Sequence, residues 1–131
     1  MKTIEVVAAI MHRQQAILAT QRNYGEFNGL WEFPGGKIDE NESNEEALIR
    51  EIKEELNVDI LIDRYFTTIE YDYPNFHLIM DCYLCHLDDY SKINLSVHDN
   101  MKWLTRDNID SINWLPADLP ITAQLLKENI I

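Results

Sequence analysis

The chain has 131 residues, 46% of them hydrophobic and 26% charged, with a formal charge of −12, which suits a globular domain with one core and argues against disorder. The acidic balance argues against a nucleic-acid polymer as partner, because affinity for a phosphate backbone comes from clustered Lys and Arg. The N-terminal MKTIEVVAAIMHRQQ is too short an apolar run for a membrane span and lacks a cleavage site after a longer one, so a single domain over residues 1–131, in the cytoplasm and off the membrane, is expected.

In chain order, Ile4 to Met11 reads as a strand buried on both faces. His12 to Gln15 turns the chain, and Ala16 to Arg22 returns as a second strand. A polar loop, Asn23 to Gly29, leads to Leu30-Trp31-Glu32-Phe33, a short alternating segment that Pro34-Gly35-Gly36 ends sharply. Ser43 to Glu46 has capping-box spacing, so a helix is predicted from about Asn44 to Leu56.

At about 100° per residue, Glu51, Glu54 and Glu55 fall near 0°, 300° and 40°, on one edge of that helix. Leu48, Ile49, Ile52 and Leu56 form a neighbouring apolar arc predicted to face a core. Crowded carboxylates resist ionising together unless a cation joins them, and hard oxygen ligands suit Mg²⁺ or Mn²⁺ better than Zn²⁺. A solvated acidic helix is the plain alternative, but it has no need of Arg50 beside the cluster or of the Gly-Gly loop leading into it.

Farther along, Tyr65 to Tyr73 and Phe76 to His86 form a predicted hairpin about Pro74-Asn75. Cys82 and Cys85 sit three apart in the second of these strands, so they should face opposite sides as reduced thiols. Asp88 to Asn100 reads as a loop with a short edge strand, and Met101 to Leu104 as another strand. Thr105 could cap a short helical turn, Pro116 to Pro120 reads as a linker, and Ile121 to Ile130 as a closing helix. Strands before and after a central helix, with another helix at the end, predict an α/β fold with a mixed sheet covered on both sides.

The stretch from Gly36 to Val58 resembles the Nudix box of the Nudix, or MutT-like, hydrolases. Gly36, Glu42, Arg50, Glu51, Ile52, Glu54, Glu55 and Val58 match the motif, while Asn57 stands in place of its late glycine. Asn tolerates the left-handed conformation needed just past a helix end, so this departure leaves the acidic edge untouched. The resemblance implies a Nudix-type α/β/α sandwich with a mixed central sheet, in agreement with the element pattern. It implies Glu51, Glu54 and Glu55 as catalytic metal ligands, joined by the Gly35 carbonyl, with Mg²⁺ as cofactor and Mn²⁺ as a substitute. Arg50 would orient carboxylates of the box through Glu42, and any of the glutamates could accept the proton of the attacking water.

The runs YDYPNFH and PADLP and the residue Trp103 extend the likeness to MutT-like pyrophosphohydrolases, especially the branch acting on CTP and modified deoxynucleotides. That likeness implies a nucleotide substrate contacted by Arg22, Glu32 and Phe76, with Asp118 reading the base or, alternatively, capping the closing helix. Lys37 would hold phosphate or be a solvated lysine. Some relatives carry a fourth glutamate before the strand containing Trp103, for which Asp99 is the nearby substitute. The expected activity is Mg²⁺-dependent hydrolysis of a nucleoside triphosphate (CTP, 8-oxo-dGTP or another modified dNTP) to monophosphate and pyrophosphate. Hydrolysis of another nucleoside diphosphate derivative (a nucleotide sugar, ADP-ribose or a dinucleoside polyphosphate) is an alternative, as is a non-catalytic nucleotide sensor. A monomer is expected, with a dimer left open.

Overall fold

A computed structural model describes residues 1–131, with the side chain of Asp99 left out of the description. The chain runs through β1 (Lys2–Arg13), β2 (Ala16–Arg22), β3 (Trp31–Glu32), β4 (Gly35–Lys37), α1 (Asn44–Leu56), β5 (Leu61–Tyr73), β6 (Phe76–His86), β7 (His98–Leu104) and α2 (Leu119–Lys127). Short 3₁₀ turns cover Tyr90–Lys92 and Pro116–Asp118.

The sheet has the order β3-β2-β1-β6-β5, with β4 added to β1 and β7 to β2. β1 and β6 run parallel, whereas β1–β4, β5–β6, β2–β3 and β2–β7 are antiparallel. Period-two alternation divides β1 between two cores: Val7, Ala9 and Met11 pack under α1, while Ala8 and Ile10 face the side carrying α2. Leu48, Ile52 and Leu56 close the first core, and Ile121 and Leu125 the second. The molecule is thus the mixed-sheet α/β/α sandwich that the sequence predicts. Among the described residues no helix is long and apolar enough to cross a membrane.

Helix α1 begins and ends as predicted. Ser43 accepts from the Glu46 N–H while the Glu46 side chain accepts from the Ser43 N–H, satisfying two orphan donors. Asn57 ends the helix at φ 61°, ψ 30°. Its amide does more than tolerate that conformation, donating to the Asn94 carbonyl at 2.6 Å and to Ser96 Oγ at 2.9 Å. Ile49, placed by the wheel in the apolar arc, is 42% exposed at its edge, because Leu48, Ile52 and Leu56 already fill the contact with the sheet. Cys82 and Cys85 are free thiols in opposite cores. Burial raises both, Cys85 to about 12.

Several expectations change in three dimensions. β1 and β7 run longer than predicted, and the first turn is only Gln14-Gln15. Gly35-Gly36-Lys37 is no mere terminator: it pairs with Val6 to Ala8 as β4. Thr105 caps no helix; the segment is a turn in which Asn108 Oδ1 accepts from the Thr105 N–H at 2.6 Å. Pro116 to Pro120 is no linker but a 3₁₀ turn running into α2, which ends at Lys127.

Asn57→Gly should lower stability by about 1 kcal/mol, because two hydrogen bonds are lost while the positive φ is relieved. Asn57→Ala should cost about 1 kcal/mol more, since it loses the same bonds and keeps a Cβ in the left-handed region. Denaturant midpoints of the two variants test this ranking, and Ala equalling or exceeding Gly in stability would refute it.

Candidate active site

The site forms where α1 crosses β4. A Cβ on Gly35 would overlap the Val7 carbonyl oxygen, and one on Gly36 would overlap the Glu51 carboxylate. Two glycines therefore let the β4 backbone lie against β1 and against the acidic edge of α1. Arg50 fastens the intervening loop. Its Nε and Nη2 donate to Glu42 at 2.7 and 2.9 Å, Nη2 also donates to the Lys37 carbonyl at 3.0 Å, and Nη1 reaches Glu51 at 2.9 Å and Glu54 at 3.4 Å. The Arg50 hydrogen bond lowers the Glu42 carboxyl, and Glu42 in turn raises the guanidinium.

The three helix carboxylates differ in environment. Glu54 is exposed, Glu51 is partly buried, and Glu55 is buried. Burial raises Glu51 against the opposing pull of Arg50. Burial first, then the charges of Glu32 and Glu51, push Glu55 up to about 9. Among the described residues no three His, Cys, Asp or Glu side chains converge as a ready-made metal cage. The donor set nevertheless fits a hard divalent cation. Glu55 Oε2 is buried with no hydrogen-bond partner, and a cation is the partner that would relieve both its isolation and its charge.

Beside this edge lies a cleft of about 120 Å³ whose lining includes Gly35, Gly36, Arg22, Glu32, Phe27, Tyr73, Phe76 and Asp118. Phe76 stacks on Tyr73 with centroids 5.0 Å apart, and Phe27 packs on Tyr73 at 5.2 Å. Arg22 bonds Glu32 through Nη2 at 2.5 Å and Nε at 3.3 Å. Burial alone would raise Glu32, but hydrogen bonds from His98 and Arg22 outweigh it and leave this carboxyl lowered, hence ionised at neutral pH. Asp118 Oδ2 accepts from the Phe33 N–H at 3.2 Å. Burial and the Glu32 charge hold Asp118 well above the ordinary carboxylate range. The cleft thus offers an acceptor at Glu32 and, at Asp118, a carboxyl whose neutral form burial favours, between aromatic walls.

The structure brings Arg22, Glu32, Gly35, Phe76 and Asp118 to the cleft, and Arg50, Glu51, Glu54 and Glu55 to its helical border. Lys37 is exposed and outside the cleft lining, with its carbonyl taken by Arg50. Asp118 makes no side-chain bond to α2, so the helix-capping alternative falls: its oxygen serves Phe33, far away in sequence. Asp99, the substitute for a fourth carboxylate, lies outside the described side chains. Sequence reasoning missed Phe27, hidden in a polar loop, and His98, whose 3.1 Å contact with Glu32 spans 66 residues. No local pattern signals either.

The chain is thus an α/β/α sandwich with an acidic, arginine-braced helix beside a polar-floored aromatic cleft. A profile of the NUDIX domain matches residues 1–127. The CTP pyrophosphohydrolase of Escherichia coli K12 is 33% identical over 123 residues, covering 92% of this chain and 90% of that protein. The 8-oxo-dGTP diphosphatase of Haemophilus influenzae is 30% identical over 129 residues, covering 97% and 94%. The solution structure of MutT from methicillin-resistant Staphylococcus aureus 252 is 37% identical, with a TM-score of 0.75 and coverage of 98% and 99%. The chain belongs to the Nudix family and is a Nudix hydrolase.

The raised Glu55 carboxyl has a definite consequence for the metal-free protein. Between its ordinary value of 4.5 and about 9, the unfolded chain releases a proton that the folded chain retains, so stability falls as pH rises through that window. Glu55→Gln should flatten this slope and raise the metal-free melting midpoint at pH 8, on the scale of about 1–3 kcal/mol for an uncompensated buried group. The two proteins should converge near pH 5. Parallel melting curves across the range would refute the assignment.

Proposed function

We propose that this protein hydrolyses a nucleoside triphosphate, CTP or an oxidised deoxynucleotide such as 8-oxo-dGTP, to the monophosphate and pyrophosphate with Mg²⁺, for which Mn²⁺ can substitute. The observation that carries this reading is the continuity at β4: Gly35 and Gly36 line the cleft, and Gly36 abuts Glu51 on the acidic edge. A substrate with its base in the cleft therefore has its phosphates beside the helix carboxylates. The activities of the E. coli and Haemophilus relatives support the same substrate class.

In this reading Glu51, Glu54, Glu55 and the Gly35 carbonyl hold the cation. Bound Mg²⁺ would neutralise phosphoryl oxygens and make an attacking water more acidic. Water adds its oxygen to phosphorus, pyrophosphate leaves with the bridging oxygen, and one of the helix carboxylates takes the proton released by the water. Arg50, already bonded to Glu42, Glu51 and Glu54, keeps these side chains in place while the charge on the substrate shifts. Phe27 and Phe76, backed by the buried Tyr73, would pack on the base, and Arg22 braces Glu32 at the cleft wall. Asp118, whose neutral form burial favours, would donate to a base acceptor such as cytosine N3 or the O6 of an oxidised guanine. Lys37 stands outside the cleft, so its part is confined to the outer phosphates. The protein works on free nucleotides as a monomer in the cytoplasm.

A nucleotide panel with separate detection of phosphate and pyrophosphate tests the reaction, and absence of divalent-dependent turnover on every nucleotide would refute it. Glu54→Gln, at an exposed position, should keep the fold and lose about a hundredfold or more in kcat; turnover within about threefold of the parent would remove Glu54 from the metal set. Asp118→Ala should shrink the ratio of kcat/KM values between the preferred nucleotide and the poorest of the panel by about 1–3 kcal/mol, the scale of a lost buried hydrogen bond. An unchanged ratio would remove Asp118 from base selection.

A further inference from the structure

Between Glu32 in the cleft wall and Glu55 on α1 stands His98, whose side chain is 1% exposed. Its Nε2 lies 3.1 Å from Glu32 Oε2 and 3.6 Å from Glu55 Oε1. The first is a hydrogen bond and the second an electrostatic contact just beyond bonding length. Because Glu32 is ionised and can only accept, this bond requires the hydrogen on Nε2, which excludes the neutral Nδ1–H tautomer.

Two further features fix this placement. β7 pairs with β2 up to Gln21 opposite Asn100, and a register shift then sets Arg22 opposite His98. Such irregularities re-aim a side chain, and here one gathers Arg22, Glu32 and His98 from three neighbouring strands into one polar row. The segment leading into His98 is also tied to the end of α1. The Ser96 N–H donates to the Glu55 carbonyl at 2.9 Å, and the Asn94 N–H to the Leu56 carbonyl at 2.9 Å. His98 is therefore anchored to the backbone of the residue whose carboxylate it faces.

We propose that His98 is a positioning residue that holds the Glu55 carboxylate against the cleft through a donor set between Glu32 and Glu55. The inference rests on the reading of Glu55 as a metal ligand and Glu32 as part of the substrate cleft. With Oε1 directed at His98, Oε2 of Glu55 is the oxygen left without a protein partner, and it is the one that would be available to a cation. Loss of the donor frees the carboxylate to rotate, so that metal affinity and turnover fall together while the aromatic base contacts persist.

The test compares His98→Leu, which fills volume without a donor, with His98→Gln, which restores an N–H at similar reach. The measurements are Mn²⁺ affinity of the nucleotide-free protein by water-proton relaxation, kcat and KM with CTP, and the thermal midpoint. His98→Leu should weaken Mn²⁺ binding and lower kcat by roughly tenfold or more, as loss of a ligand's orienting partner does, with KM changed by less than about threefold. His98→Gln should recover both quantities to within about threefold of the parent. Should His98→Leu not fold, His98→Asn, whose donor falls one bond short, takes its place with the same expectations. If the donor-less variant shifts only the thermal midpoint and keeps Mn²⁺ affinity and kcat, or if Gln rescues neither, His98 is a packing residue and the proposal is overturned. If the parent protein binds no Mn²⁺ at all, the metal assignment of Glu55 and the role of His98 fall together.

Discussion

Glu51 lies where a side chain on residue 36 would have to stand, and the rest of the site depends on that exclusion. Because β4 has no Cβ at Gly35 or Gly36, its backbone packs against β1 on one side and reaches the edge of α1 on the other. The cleft and the carboxylates thereby share one wall. A larger residue at either position would separate them by pushing the strand off the sheet or the glutamate off its helix. Arg50 locks the arrangement by bonding the loop through Glu42 and Lys37 and the helix through Glu51 and Glu54.

The same closeness sets an electrostatic imbalance. Glu32 and Glu42 have guanidinium partners and sit low, whereas Glu55 and Asp118 are buried without one and sit high. Such groups weigh against folding in the metal-free and substrate-free protein, and they persist because the surrounding sandwich is closed by two fully buried cores. In the proposed function, Glu55 would meet a cation and Asp118 would donate a hydrogen bond to a base. Their surroundings differ: Glu55 lies on the acidic edge of the helix, while Asp118 is enclosed at the foot of an aromatic cleft.

Arg22, Glu32, His98 and Glu55 form a continuous polar seam from β2 and β3 through β7 to α1. The seam crosses between the sheet and the helix, two layers that otherwise meet through apolar side chains. Where polar groups are buried in such a row, each fixes the orientation of the next. Here the row runs from the cleft wall to the carboxylate edge.

Much of this was legible in the chain itself, and for one reason: the features in question are local. The helix from Asn44 to Leu56, its capping box, the carboxylate edge, the Pro74-Asn75 hairpin and the opposite facing of Cys82 and Cys85 follow from spacings of two to four residues, which backbone geometry converts directly into position. Their combination with Gly36, Glu42 and Arg50 was enough to mark the family. Tertiary structure alone decided the rest. Gly35-Gly36 became a strand because β1 lay beside it, Ile49 was left exposed because three neighbours already filled the core, and Asp118 served Phe33 instead of its own helix. His98 met Glu32 and Glu55 only when β7 was paired with β2 and its approach was tied to the end of α1. Contacts between residues tens of positions apart depend on register and layer packing, and these are set by the whole chain closing on its two cores, which no short stretch of sequence encodes.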